Sequence, residues 1–219
     1  KSGKLTTQTG WKEVTVKDDS GKEEKFYQYF FKGGIMATGL TEVEGKEKYF
    51  YDNGYQAKGI FIPTKDGHLM FFCGDSGERK YSGFFEQDGN WYYANDKGYV
   101  ATGFTKVGKQ NLYFNEDGSQ VKGGVVKNAD GTYSKYNAST GERLTNEFFT
   151  TGDNNWYYIG ANGKTVTGEV KIGDDTYYFA KDGKQVKGQT VSAGNGRISY
   201  YYGDSGKKAI STWIEIQPG

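Results

Sequence analysis

The side chains best able to grip a ligand recur as a pair. Gln56 and Lys58, Gln120 and Lys122, and Gln185 and Lys187 each stand two positions apart, and the pair returns after 64 and then 65 residues. An amide offers donors and an acceptor, and an ammonium offers three donors. Seven residues before each glutamine is a tyrosine: Tyr49, Tyr113 and Tyr178. A π-face beside an amide and an ammonium can stack on the C–H face of a sugar while the polar groups take its hydroxyls. The plain alternative is that Gln and Lys at alternate strand positions form a solvated face.

Little else in the chain could do chemistry. His68 is its one histidine and Cys73 its one cysteine, so there is no disulfide, no CxxC pair for zinc and almost no acid–base material near neutral pH. Cys73 reads as a small buried hydrophobe. A glycosidase needs two carboxylates facing each other across a cleft, and no such pair stands out among acidic residues placed in turns or beside lysines. The expectation is a non-catalytic chain with no cofactor and no metal. The 28 basic residues barely exceed the 27 acidic ones, which argues against nucleic acid. No run of 18 apolar residues exists, so no membrane insertion is expected.

The elements that must position these residues are set by a repeat. Gly39, Gly103 and Gly168 each close a Thr-Gly pair, and Gly59, Gly123 and Gly188 each follow a lysine, at the same 64 and 65 spacings. Three long repeats result, 21–84, 85–148 and 149–213, each dividing into three units. With 34 glycines, 2 prolines and 17% aromatics, the chain folds on Tyr, Phe and Gly rather than on Leu. Asn53-Gly54, Asp117-Gly118, Asn162-Gly163 and Asp182-Gly183 read as hairpin turns between β-favouring runs. No helical periodicity appears. A lone hairpin is barely stable in water, so the units must stack. The expectation is an all-β solenoid of about nine stacked β-hairpins, about three per superhelical turn.

Five residues before the turn glycine an aromatic stands in every unit, including Tyr49, Phe72, Tyr113, Tyr136, Tyr178 and Tyr201. If the turn loop is even, the positions four before and three after the glycine share one face. The aromatic at five before then shares the other with the Gln/Lys pair. An odd loop would break this grouping. The chain begins Lys1-Ser2-Gly3, with neither an initiator Met nor a signal peptide, and reads as a fragment. Residues 1–20 read as the remnant of a preceding hairpin and a linker, and 214–219 as the start of a truncated unit.

Units such as Trp91-Tyr-Tyr-Ala-Asn-Asp-Lys-Gly98 and Thr176-Tyr-Tyr-Phe-Ala-Lys-Asp-Gly-Lys-Gln-Val-Lys-Gly188 resemble the cell-wall-binding or choline-binding repeat superfamily. Within it they most resemble the glucan-binding repeats at the C-terminus of bacterial glucansucrases. The resemblance runs from about residue 21 to 213 and implies a secreted, extracellular carbohydrate-binding module, monomeric, that anchors a glucosyltransferase to α-glucan polysaccharide. The family's Gln-x-Lys motif falls on Gln56/Lys58, Gln120/Lys122 and Gln185/Lys187, with stacking rings at Tyr49, Tyr113 and Tyr178. Second walls would come from Phe72, Tyr136 and Tyr201, with the missing hydroxyl of Phe72 weakening the first pocket. The alternative branch binds choline on teichoic acids in aromatic cages. Those repeats place Trp after the unit-closing Gly, where this chain has Leu40, Ile60, Phe84, Phe104, Gly124, Phe148, Glu169, Gln189 and Trp213. One Trp in nine does not make a series of cages. A toxin-type receptor-binding array, also directed at carbohydrate, is a third candidate.

Overall fold

The computed structural model describes residues 8–152, 154–192 and 196–210. The first seven residues of the remnant expected at 1–20, and the truncated unit expected at 214–219, lie outside the described residues. Among them there is no helix, and 19 strands form nine small antiparallel sheets. The first sheet has three strands, β1 (Gly10–Lys17), β2 (Glu23–Phe31) and β3 (Ile35–Met36). Eight two-stranded hairpins follow, β4 (Gly39–Val43) with β5 (Lys46–Phe50) being the next.

The hairpins close at a different turn from the one the sequence suggests. β4 and β5 are joined by Glu44-Gly45, with φ of 55° and 76°, and β8 (Gly83–Gln87) and β9 (Asn90–Ala94) by Asp88-Gly89, with φ of 51° and 75°. Positive φ at both central residues is the geometry whose twist matches paired strands. Asn53-Gly54 and its equivalents instead lead to a one-residue bridge, Phe50 to Gln56. Nine sheets is the expected number, but the repeat boundaries at 84/85 and 148/149 fall inside strands β8 and β14 (Glu147–Thr150). β1 likewise belongs to the first sheet, pairing from Gly10 with Phe30 to Lys17 with Glu23, rather than to a linker.

The register corrects the face assignment. Phe50 faces Gln56, Phe114 faces Gln120 and Phe179 faces Gln185, so five residues intervene and the loop is odd. Gly54 N–H bonds the carbonyl three residues back, Tyr51, whereas in the last hairpin of a repeat Gly77 N–H bonds the carbonyl four back, Cys73, both at 2.8 Å. That extra residue makes the loop even there, and Phe72 faces Arg79, Tyr136 faces Arg143 and Tyr201 faces Lys208. The buried position therefore alternates. Phe50, Phe114 and Phe179 form the core of the middle hairpins and Phe72, Tyr136 and Tyr201 that of the last ones, all 0–1% exposed. Cys73 is only half-buried because the core position in its hairpin has moved to Phe72.

Backbone hydrogen bonds tie each hairpin to the next. The chain forms two compact units, Lys1–Thr105 with Phe114–Gln120, and Lys106–Tyr113 with Val121–Gly219. In the first, the N–H groups of Gln56, Arg79, Val100 and Gln120 donate to the carbonyls of Tyr27, Glu47, Leu69 and Trp91 at 2.7–2.8 Å. In the second, those of Arg143, Thr165, Gln185 and Lys208 donate to Asn111, Tyr133, Trp156 and Thr176 over the same distances. One bridge residue per hairpin thus meets the outer-strand carbonyl of its predecessor, which satisfies groups that would otherwise be left open at a sheet edge.

Candidate functional site

The Gln/Lys pairs sit where two hairpins meet. Gln56 is 8% exposed because it faces the core residue Phe50, and its amide reaches inward. Its Nε2 donates to the Ser76 carbonyl at 3.0 Å, and Gln185 Nε2 donates to the Ser205 carbonyl at the same distance. This approach requires glycine at 77 and 206, since a Cβ at either would collide with the glutamine amide. Part of each amide is thus used in holding the next hairpin, which leaves its oxygen and remaining N–H as the groups able to face the cavity.

Lys58 and Lys187 continue along the same strand side and meet an aromatic ring. Lys58 Nζ lies 5.0 Å from the ring centre of Tyr27, and Lys187 Nζ lies 5.1 Å from that of Trp156. The same rings' backbone carbonyls take the N–H of Gln56 and Gln185 at 2.8 and 2.7 Å. In the middle copy, Gln120 N–H likewise meets the Trp91 carbonyl at 2.7 Å. Each site therefore joins an outer-strand aromatic of one hairpin to the Gln/Lys strand of the next.

The cavities follow these residues. One of about 610 Å³ is lined by Tyr27, Gln56 and Lys58 together with Phe26, Tyr51 and Tyr55. In the third copy two adjoining cavities, of about 420 and 300 Å³, share Trp156, Gln185 and Lys187. The smaller adds Phe148, Tyr177, Asp204 and Ser205. Among the described residues, no cluster of His, Cys, Asp and Glu could hold a metal ion, and no helix is long and apolar enough to cross a membrane.

The tyrosines expected to stack on the ligand are placed differently. Tyr49, Tyr113 and Tyr178 are half-buried and line none of these cavities; each packs on the core aromatic of the following hairpin. Their rings lie 5.9, 5.9 and 5.8 Å from Phe72, Tyr136 and Tyr201. The expected neighbours therefore do meet, but as core packing. Phe72, Tyr136 and Tyr201 turn no face to a ligand, being 0–1% exposed. The hydroxyl that Phe72 lacks has a structural use in Tyr201, which donates to Glu169 at 2.9 Å. The position equivalent to Glu169 in the first repeat is Leu40, which offers no such acceptor.

Sequence reasoning missed Tyr27, Trp91 and Trp156. Their signal was available: they recur at the same 64 and 65 spacings as the Gln/Lys pairs, and the corresponding residues of the middle hairpins are Glu47, Asn111 and Thr176.

A series of small stacked hairpins, with cavities at the Gln/Lys junctions of the first and third copies, is the architecture of a repeat module. The family model of the choline-binding repeat matches residues 37–84, 101–148 and 166–213, and the chain belongs to that family. Among characterised proteins it is similar to Glucosyltransferase-S of Streptococcus mutans, with 38% identity over 194 residues that cover 88% of this chain and 13% of the relative. It is also similar to Glucosyltransferase-I of Streptococcus downei, with 37% identity over 207 residues covering 91% of this chain and 13% of that protein. The chain thus spans about an eighth of these relatives' length and is a repeat binding region, not a catalytic domain. Its fold resembles the crystal structure of choline binding protein F from Streptococcus pneumoniae, with a TM-score of 0.61 and 21% identity over 94% of this chain and 72% of that one.

Proposed function

We propose that the chain is a secreted, extracellular module that binds α-glucan of the dextran type through several weak sugar pockets, as the C-terminal anchor of a glucosyltransferase. The observation that carries this is the recurring trio of aromatic ring, amide and ammonium: Tyr27, Gln56 and Lys58, then Trp156, Gln185 and Lys187. A ring wall takes the apolar face of a pyranose, and the amide and ammonium take its hydroxyls. The glucosyltransferase relatives support the choice of polymer.

The same geometry weighs against choline, the ligand suggested by the family's name. A quaternary ammonium seeks aromatic faces, but an ammonium of the protein already lies 5.0–5.1 Å from the Tyr27 and Trp156 rings. A second cation placed there would meet a like charge. A sugar hydroxyl would meet a donor.

Affinity electrophoresis in gels containing dextran, with and without choline, tests the reading. Retardation by dextran that choline leaves unchanged is expected. Migration unaffected by dextran, or retardation that choline abolishes, would overturn it.

A further inference from the structure

We infer that the module carries a second type of sugar site, on the opposite face of the first hairpin of the third repeat. That hairpin pairs β14 with β15 (Trp156–Ile159), Phe148 facing Tyr158 and Phe149 facing Tyr157. Successive residues of a strand point to opposite faces, so Trp156, which serves the Gln/Lys site, and Tyr157 look to opposite sides. On the Tyr157 side lies a cavity of about 270 Å³ lined by Val125, Tyr133, Phe149, Thr151, Gly152 and Tyr157.

The corresponding place one repeat earlier is filled. There Phe61 packs 4.8 Å from Tyr92 and 6.4 Å from Phe85, and Phe71 stacks 4.6 Å from Phe85. Phe61 corresponds to Val125, and Phe71 to Lys135, whose ammonium is drawn away onto the Gly123 carbonyl. Two aromatic side chains are therefore lost from this junction and one is gained, Tyr133 in place of Leu69, while the Phe149–Tyr157 pair beneath them is kept. The space has the size of a small ligand site, just under the usual range of roughly 300–1,000 Å³, and suits about one sugar ring.

The walls select the ligand class. None of the lining residues is charged, which leaves no counter-ion for a phosphate or carboxylate. Phe149 and Tyr157 stack on each other at 5.2 Å and 20°, so their faces run nearly parallel, and Tyr133 turns across them, at 64° to Tyr157. Two walls do not enclose a cation as a cage does. An uncharged lining of aromatic rings with tyrosine and threonine among it fits a neutral pyranose, apolar on its face and polar on its rim. The choice of a glucosyl unit rests on the function proposed above; the cavity does not. With sugar sites on both faces of one hairpin, a single module could hold two polymer chains.

The test is an NMR titration of the whole chain with isomaltotriose, then with choline, following the Tyr157 ring and the Trp156 indole separately. Tyr157 signals should move with isomaltotriose at about millimolar concentration and stay still with choline. Val125→Phe restores one aromatic of the filled junction, where Phe61 packs 4.8 Å from Tyr92, and the Trp156 response reports whether the hairpin stays folded. The substitution should weaken the Tyr157 response by about tenfold or more, roughly 1.4 kcal/mol, and leave the Trp156 response unchanged. Lys187→Ala should do the reverse. A Tyr157 signal unmoved by isomaltotriose while Trp156 moves would overturn the second site and leave the first standing. Silence at both would remove the glucan reading as well. Tyr157 shifts caused by choline alone, or unchanged in Val125→Phe, would equally overturn the proposal.

Discussion

The Gln/Lys sites of the first and third repeats share their polar groups and differ in their walls. The first has Tyr27 as its ring, with Phe26 and Tyr55 stacked beside it at 4.6 Å and 12°. The third has Trp156, 40% exposed, with Lys184 where the first has Tyr55. The inner ends differ more. Tyr177 lines the third site and packs on Phe148 at 5.3 Å. The equivalent residue in the first repeat is Lys48, only 6% exposed, whose ammonium donates to the Ser76 carbonyl at 2.8 Å and lies 5.7 Å from the Trp11 ring. Burial pushes the Lys48 ammonium below its ordinary pKa. The glutamine anchor onto the next hairpin is constant, so repeats can change their apolar surroundings without losing the donors. What is held fixed is hydrogen bonding; what varies is stacking area.

The largest expected effect tests whether the sites act together. One shallow pocket of this kind should bind at about millimolar strength, roughly −4 kcal/mol. Linked sites raise apparent affinity by roughly 10²–10⁴ when one polymer can engage them together. High-mass dextran should therefore bind far more tightly than isomaltotriose in calorimetry on the same protein. Equal affinity per site for the two ligands would mean the sites work alone, and the differences between them would then decide everything.

The second prediction separates core from wall. Phe179 is fully buried behind the third site, and Phe179→Ala should cost about 3–5 kcal/mol of stability. Trp156→Ala should leave the melting temperature nearly unchanged and remove binding at that site. Thermal melts together with dextran retardation read both. A Trp156→Ala protein that melts early but still binds would reverse the assignment of the two residues.

That division was only partly legible in the sequence. The nine sheets and the lack of helix among the described residues follow from glycine and aromatic spacing, and the Gln/Lys recurrence is read from the sequence directly. The faces did not, because they depend on whether a turn holds five or six residues, and Asn53-Gly54 and Ser76-Gly77 look alike until the backbone bonds to Tyr51 and Cys73 are seen. A one-residue slip moves every side chain to the other face. It turned Phe72, Tyr136 and Tyr201 from ligand walls into core, and it hid Tyr27, Trp91 and Trp156, which lie in the preceding hairpin and meet the Gln/Lys pair only through stacking.

The third prediction concerns the constant part. A charge-assisted hydrogen bond contributes roughly 1.5–3 kcal/mol, so Lys58→Ala and Lys187→Ala should each weaken its own site by about that amount without unfolding the module. If the donors are what the repeats share, the two losses should be similar despite the different rings. A loss at Lys187 alone would instead make the tryptophan wall the decisive element, and the first site a structural relic.

The smallest effect lies in the ion pairs behind the sites, and it also differs between repeats. In the third repeat Glu169 accepts from Lys208 at 2.7 Å and from Tyr201 at 2.9 Å. In the first, Glu47 accepts from Arg79 at 2.8 Å and from the Tyr81 hydroxyl. The hydrogen bond from Lys208, then that from Tyr201, holds the Glu169 carboxyl below its ordinary value of 4.5, and burial followed by the bond to Glu169 pushes the Tyr201 phenol up. A carboxylate with a depressed folded-state pKa contributes stability above its unfolded pKa and loses it as pH falls through the folded value. Glu169→Gln should therefore lower stability near neutral pH, and the gap from the unaltered protein should close as pH drops below about 4. Because Glu169 is 48% exposed, solvent screening limits the effect to about 1 kcal/mol or less. Melting curves at pH 7, 5 and 3.5 for both proteins decide it: a gap that persists undiminished at the lowest pH would show that Glu169 acts through packing, not charge.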